Sequence, residues 1–207
     1  MADDPSSSSQ GPVMQLLANG LQFWVRQQCQ AVESLELQLH GSAWGLLRGR
    51  LEGVTLTARR AVYSSLELEM VELRSEAISV QMGNLLKGQP LQLDHPFQIR
   101  GFVAFSGAGL SRALCTPQWR GLADQLADGL LGLSPLQDVR IERDRLVLSA
   151  QGRACDTLPK AADGALQLQA VEGALSVALP ADPNIRIETA NLEGGLLQLH
   201  GSARVSP

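Results

Sequence analysis

Ser34-Leu35-Glu36-Leu37-Gln38-Leu39-His40, followed by Val54-Thr55-Leu56-Thr57-Ala58-Arg59, is the stretch that decides the fold. Apolar residues alternate with charged, amide or hydroxyl residues at a period of two, the spacing of a strand with one buried and one wet face. The alternation returns at Leu66, Leu68 and Met70 around Glu67 and Glu69, at Ile78, Val80 and Met82, and at Phe97, Ile99, Val103 and Phe105 around Gly101. A second β region starts with Val139, Ile141, Leu146 and Leu148 and continues through Leu166 and Leu168, Leu175, Val177 and Leu179, Ile185 and Ile187, and Leu197 and Leu199. Sheets that are wet on one side are antiparallel meanders, whereas parallel sheets bury both faces. Asp144-Arg145 and Asp163-Gly164 carry turn chemistry between these strands.

Helical spacing appears in two places. Pro12 suits a first helical position, and Val13, Leu17, Leu21 and Trp24 follow at i, i+4, i+8 and i+11, which predicts a core-facing amphipathic helix over 12–31. One Arg and no Lys on its polar side argue against an electrostatic membrane anchor. Between the β regions, Ser106 is a candidate helix cap, and Leu110 and Leu114 sit four apart. Thr116-Pro117 then reads as a cap and first residue for a longer helix carrying Trp119, Leu122, Ala123, Leu126 and Leu130, stopped by Gly132 and Pro135. The fold class is therefore α+β and mainly β. We expect a long curved antiparallel sheet wrapped around the 117–131 helix, with the first helix at one end.

The 207 residues, 44% hydrophobic and 18% charged, suffice to bury a core without a disulfide or metal staple. Residues 1–11, acidic and serine-rich, read as a disordered tail ahead of a single domain over 12–207. That tail has neither the basic nor the apolar region of a secretory signal, and no apolar run reaches transmembrane length, so the chain reads as cytoplasmic or peripheral to a membrane. With a net charge of −4 and only Lys87 and Lys160 as lysines, no basic stripe exists for nucleic acid. The heptapeptide Leu-Gln-Leu-His-Gly-Ser-Ala occurs at 37–43 and again at 197–203, each read as a strand running into a glycine turn.

No catalytic constellation emerges. Cys29, Cys115 and Cys155 lack metal or redox spacing and read as small buried hydrophobes. Ser106 and Ser111 complete no nucleophile elbow, Gly107-Ala108-Gly109 lacks the third glycine and lysine of a phosphate loop, and His40, His95 and His200 have no ligand spacing. Glu67 and Glu69 lie on the wet side of a strand, where nothing raises a carboxylate toward catalytic range. The expectation is a non-enzymatic protein with no cofactor and no metal.

The run from Gly45 to Ala58, the segment from Tyr63 to Leu68, and Pro96-Phe97-Gln98-Ile99 leading through Phe105-Ser106 into Gly109-Leu110-Ser111-Arg112-Ala113-Leu114 resemble the LmeA-like phospholipid-binding family of the bacterial envelope. The resemblance covers 32–151; the strands after Asp156 show no match, and the better-known members are exported. It implies a β-rich domain that binds phospholipid or another acyl lipid, as a carrier or envelope-maintenance factor with peripheral membrane contact. In the wrapped-helix arrangement, Phe97, Ile99, Val103, Phe105, Leu110, Leu114, Trp119, Leu122, Ala123, Leu126 and Leu130 line an acyl-sized space, and Arg100 and Arg112 meet the head-group. The competing expectation is an assembly module whose apolar sheet face is covered by a protein partner.

Overall fold

The computed structural model describes residues 12–42, 44–45, 48–79 and 95–206. The expected tail over 1–11 and the strand positions Val80 and Met82 lie outside these residues. Helix α1 (Pro12–Gln28) leads into β1 (Ala31–His40), β2 (Arg50–Leu51), β3 (Gly53–Tyr63), β4 (Leu66–Ser75), β5 (Ile78–Ser79) and β6 (Phe97–Ser106). Helices α2 (Gly107–Leu114) and α3 (Arg120–Leu131) follow, then β7 (Asp138–Glu142), β8 (Arg145–Ala150), β9 (Arg153–Ala162), β10 (Ala165–Ala170), β11 (Ser176–Ala178), β12 (Ile185–Glu193) and β13 (Leu196–Val205).

The strands form a six-stranded sheet ordered β1-β3-β4-β6-β13-β12, a five-stranded sheet ordered β11-β10-β9-β8-β7, and a small β2-β5 pair. All recorded pairings are antiparallel. Two-residue turns join β3 to β4 (Ser64-Ser65), β7 to β8 (Arg143-Asp144), β8 to β9 (Gln151-Gly152), β9 to β10 (Asp163-Gly164) and β12 to β13 (Gly194-Gly195). Both central residues of each have positive φ. This left-handed pair matches strand twist and is why Asn, Asp and Gly dominate such turns. The turn expected at Asp144-Arg145 therefore falls one residue earlier, with Arg145 already paired to Glu142.

Helix α3 does not lie inside the large sheet. Ala123, Leu126, Ala127, Leu130 and Leu131 pack with Leu146, Leu148 and Ala150 of β8 and Leu168 and Ala170 of β10, forming the largest buried cluster. A helical apolar stripe specifies that one face is buried, not which sheet covers it. The helix also starts later than its Thr116-Pro117 signal predicts. Thr116 turns back, its amide and hydroxyl both donating to the Ala113 carbonyl, so it closes α2 and does not cap α3. Ser106 caps α2 as expected, accepting from the Gly109 amide at 3.2 Å, and Gly132, left-handed at φ 65°, ends α3.

The outward aspect of α1 also corrects its reading. Ala18, Leu21 and Val25 face the sheet while Trp24 is exposed. The rotation follows from the edge position of β1: Gln22 donates to the Leu35 carbonyl and Arg26 to the Val32 carbonyl, so α1 satisfies part of a free strand edge. A second local departure sits in β3, where Arg60 has φ 44° and shifts the alternation, so that Ala58 and Ala61 are both buried. In β4, Val71 and Leu73 consequently face the core, and Met70 stands opposite exposed Arg59.

Candidate functional site

The large sheet presents one apolar face, covered unevenly. Along β1 and β3 it is closed by α1, with Ala18 and Leu21 against Leu37, Leu39, Val54 and Phe97. At the far end, Phe105, Leu197 and Ala190 are closed by Leu166 of the smaller sheet, with Ile141, Leu179 and Leu110 packed around them. Between these covers lies a corner that is only partly closed, Leu73 packing on the Leu35–Val71 cluster and Ile187 on the Phe105–Leu197 cluster at its borders. There Ile185, Ala203 and Ile99 stand in one cross-strand row, and Ile187, Gly201, Gly101 and Leu73 in the next. Ile99, Ile187, Ala203, Val205 and Leu73 are half-buried, and Ile185 is 51% exposed.

Two local features create this corner. The register of β12 slips between Ile187 and Thr189, leaving Glu188 as an extra residue. The slip brings Ile185, Ile187, Ala190 and Leu192 to a common face although strict alternation would separate them. The second feature is the Gly101–Gly201 pair, which leaves the sheet floor without side chains. A Cβ on Gly201 would come within 2.3 Å of the Arg186 carbonyl oxygen, and one on Gly101 within 2.3 Å of Leu73 Cδ2. Gly201 belongs to the second heptapeptide copy, so that copy is a strand running straight through its glycine. The first copy ends at His40 with Gly41 at φ 135°, as expected. His200 is accordingly a strand residue, its ring 4.8 Å from that of Phe102.

The opposite face is polar and carries a groove of about 440 Å³ lined by Thr55, Thr57, Glu72, Arg74, Arg100, Phe102, Glu188 and His200. His40 lies beside it, its Nε2 2.6 Å from Thr55 Oγ1. Both charge signs border this groove, and an acyl chain placed there would desolvate them without recompense. The half-covered apolar corner is the surface suited to hydrocarbon.

The residues expected to line one space fall on two surfaces. Phe97, Ile99, Val103 and Phe105 lie on the apolar face of the large sheet. Leu122, Ala123, Leu126 and Leu130 pack with the smaller sheet, as do Leu110 and Leu114 of α2, with Leu110 also reaching Phe105. Trp119 is half-buried between the groups, its Nε1 donating to the Ser64 carbonyl at 2.9 Å. Arg100 and Arg112 do not converge. Arg100 points into the polar groove, while Arg112 forks onto Glu67, with Nε 2.6 Å from Oε1 and Nη2 on Oε2. The Arg112 hydrogen bonds hold the Glu67 carboxyl below its ordinary range against the opposing effect of burial. Leu73, Ala203, Val205, Ile185 and Ile187 share the apolar face with Ile99; the wrapped-helix arrangement did not count them among the lining residues.

Other chemistry is sparse. Ser111 donates to Asp138 at 2.8 Å and accepts from the Val139 amide, tying α2 to β7. Gly107 is a packing glycine, since a Cβ there would meet the Ile141 amide nitrogen at 2.7 Å. The cysteines are free, Cys115 exposed and the other two half-buried: Cys29 and Cys115 sit just past helix ends, and Cys155, on the central strand β9, packs against the α3 cluster from its rim. Burial, then Asp156 and Glu172, push the Cys155 thiol up, away from a nucleophile's range. Among the described residues no group of three His, Cys, Asp or Glu is placed to hold a metal, and no helix is long and apolar enough to cross a membrane.

A one-sided sheet left partly open over hydrocarbon-lined rows agrees with one comparison. The family model for LmeA-like phospholipid-binding proteins matches residues 10–202. The chain belongs to that family. The LmeA-like match extends through β10, β11 and β12 into β13, the strands whose sequence alone was too generic to place, and stops at Ser202, one residue short of Ala203 in the open corner. No curated protein and no solved structure matches the chain.

Proposed function

We propose that this LmeA-like protein binds phospholipid without catalysing a reaction, seating acyl chain on the half-covered corner of its large sheet between α1 and the smaller sheet. The observation that supports this most is the incomplete cover over Ile99, Ala203, Ile185 and Ile187 in a chain matched across 10–202 by a phospholipid-binding family. Each methylene removed from water there contributes about 0.8 kcal/mol, so a dozen supply about 10 kcal/mol against the cost of association and chain ordering. A protein acting this way exchanges lipid with a membrane, the role of a carrier or envelope-maintenance factor. The polar face, with Arg74 and Arg100, stays in water.

The test is organic extraction of the purified protein followed by mass spectrometry, paired with uptake of a fluorescent phospholipid. Wild type is expected to carry phospholipid, and Ile99→Asp with Ala203→Asp is expected to lose it. Absence of lipid, with capture of a stoichiometric protein partner by the same face, would replace this reading with that of an assembly module.

A further inference from the structure

Of the seven large hydrophobic side chains exposed among the described residues, the three most exposed all belong to α1 or the turn after β1. Phe23 and Trp24 on α1 are 63% and 60% exposed, and Trp44, in the short turn after β1, is 69% exposed. On a helix, residues 18, 21 and 25 define the inward direction; position 23 points away from it and position 24 to one side. The exposed polar residues around them, Asn19, Gln27 and Gln28, are amides, not charges. Helix α1 contains no acidic residue, and Arg26 is its sole charge. Arg48, whose guanidinium lies 5.6 Å from the Trp44 ring, and Arg50 add two exposed cations beside Leu51, which packs with Ala18. Arg26, Arg48 and Arg50 outnumber Glu52, the exposed carboxylate beside Gly41.

We propose that Phe23, Trp24 and Trp44 dock the protein on a phospholipid bilayer, with α1 lying in the interfacial plane. Indole and phenyl rings partition to the boundary between head-groups and acyl chains, and arginines beside them complement anionic phosphate. Uncharged amides on the same helix side incur little desolvation there. The position of the helix adds a mechanical reason. The inner face of α1 closes the apolar sheet at Leu37, Leu39, Val54 and Phe97, so a bilayer touching its outer face lies one helix diameter, about 10 Å, from the acyl-binding side. This inference rests on the proposed lipid-binding function and names the surface through which lipid is exchanged.

The tryptophans supply the test, because Trp119 is half-buried and hydrogen-bonded and serves as an internal reference. Full-length protein is mixed with vesicles of phosphatidylcholine and phosphatidylglycerol whose acyl chains carry bromine, a contact quencher of indole fluorescence. Wild-type emission is expected to shift blue and be quenched, with quenching largely abolished in Trp24→Phe with Trp44→Phe, which keeps the rings and the binding. Phe23→Ser with Trp24→Ser is expected to lower vesicle partitioning by roughly tenfold or more, with unchanged unfolding temperature and unchanged lipid content of the purified protein. Vesicle binding that leaves Trp24 and Trp44 unquenched, or a serine variant that partitions like wild type, overturns the proposal. So does a concentration-dependent blue shift without vesicles, which assigns the patch to a second copy. Lipid carried by a wild type that ignores vesicles retains the lipid-binding reading and removes this one; quenching in a protein that carries no lipid does the reverse.

Discussion

Replacing Ala123 with Phe distinguishes a packed α3 from one that borders an open space. Ala123 and Ala127 have no exposed surface, and the residues they share a core with, Leu148 and Ala150, have none either. Small residues on both sides allow the helix to settle close to the sheet, so no volume awaits a ring. Overpacking of this kind costs about 1 to 3 kcal/mol, with the upper end expected where facing residues are already small. For a chain of this size that corresponds to an unfolding temperature lower by roughly 2 to 12 °C. The companion is Ala203→Phe in the half-covered corner, where a ring has somewhere to go. It is expected to change stability by less than about 0.5 kcal/mol and to reduce phospholipid uptake by occupying the space of an acyl chain. Calorimetry and fluorescent-lipid binding on both variants give the answer. A wild-type unfolding temperature for Ala123→Phe together with lost lipid uptake would refute the assignment and place the acyl site beside α3.

Gly201→Ala should destabilise by at least about 2 kcal/mol in chemical denaturation, since its Cβ meets the Arg186 carbonyl oxygen and the strand pair cannot close over it. Gly20→Ala, in an exposed helical position with nothing within 4 Å of the new Cβ, should instead stabilise by about 0.5 to 1 kcal/mol in the same assay. The Glu67–Arg112 pair predicts a pH effect of definite sign. Because the folded carboxyl titrates below its ordinary value of 4.5, its stabilisation is present above that value and is lost as pH falls through the lowered one. Arg112→Met should therefore lower stability only slightly at neutral pH, Arg112 being mostly exposed, and flatten the decline in stability below pH about 4.5.

Local signals in this sequence carried further than partner choice. The β alternation at 35–39 and 54–58, the Ser106 cap, the Gly132 stop and the Asp163-Gly164 turn each act within a few residues, and each is found where its chemistry placed it. What a face packs against is a non-local decision. The stripe on α3 is as compatible with one sheet as with the other, and Ala150 and Ala170 of the smaller sheet, which make room for the helix, carry no label in sequence. Likewise Trp24 belongs to the helical stripe by spacing. The free carbonyls of edge strand β1 turn Gln22 and Arg26 toward it, and Trp24 is carried outward. The open corner was half legible: Ile99 was named from its strand, but its neighbours Ile185 and Ala203 come from nearly a hundred residues away, through a pairing only the fold reveals.

The strand order sets a timetable for synthesis. Every neighbour contact of the smaller sheet joins consecutive strands, so that sheet is assembled as soon as its own segment has been made. The large sheet must wait, because β6 pairs on one side with β4 and on the other with β13, whose last residue is Val205. Until β13 arrives, the β6 edge is unpaired beside an apolar face, the condition under which nascent chains aggregate or recruit chaperones. A truncation removing β13 would therefore leave the smaller sheet able to form its ladder while stranding β12 and exposing the centre of the larger one. Loss of β13 is, for this topology, a lesion at the middle of a sheet.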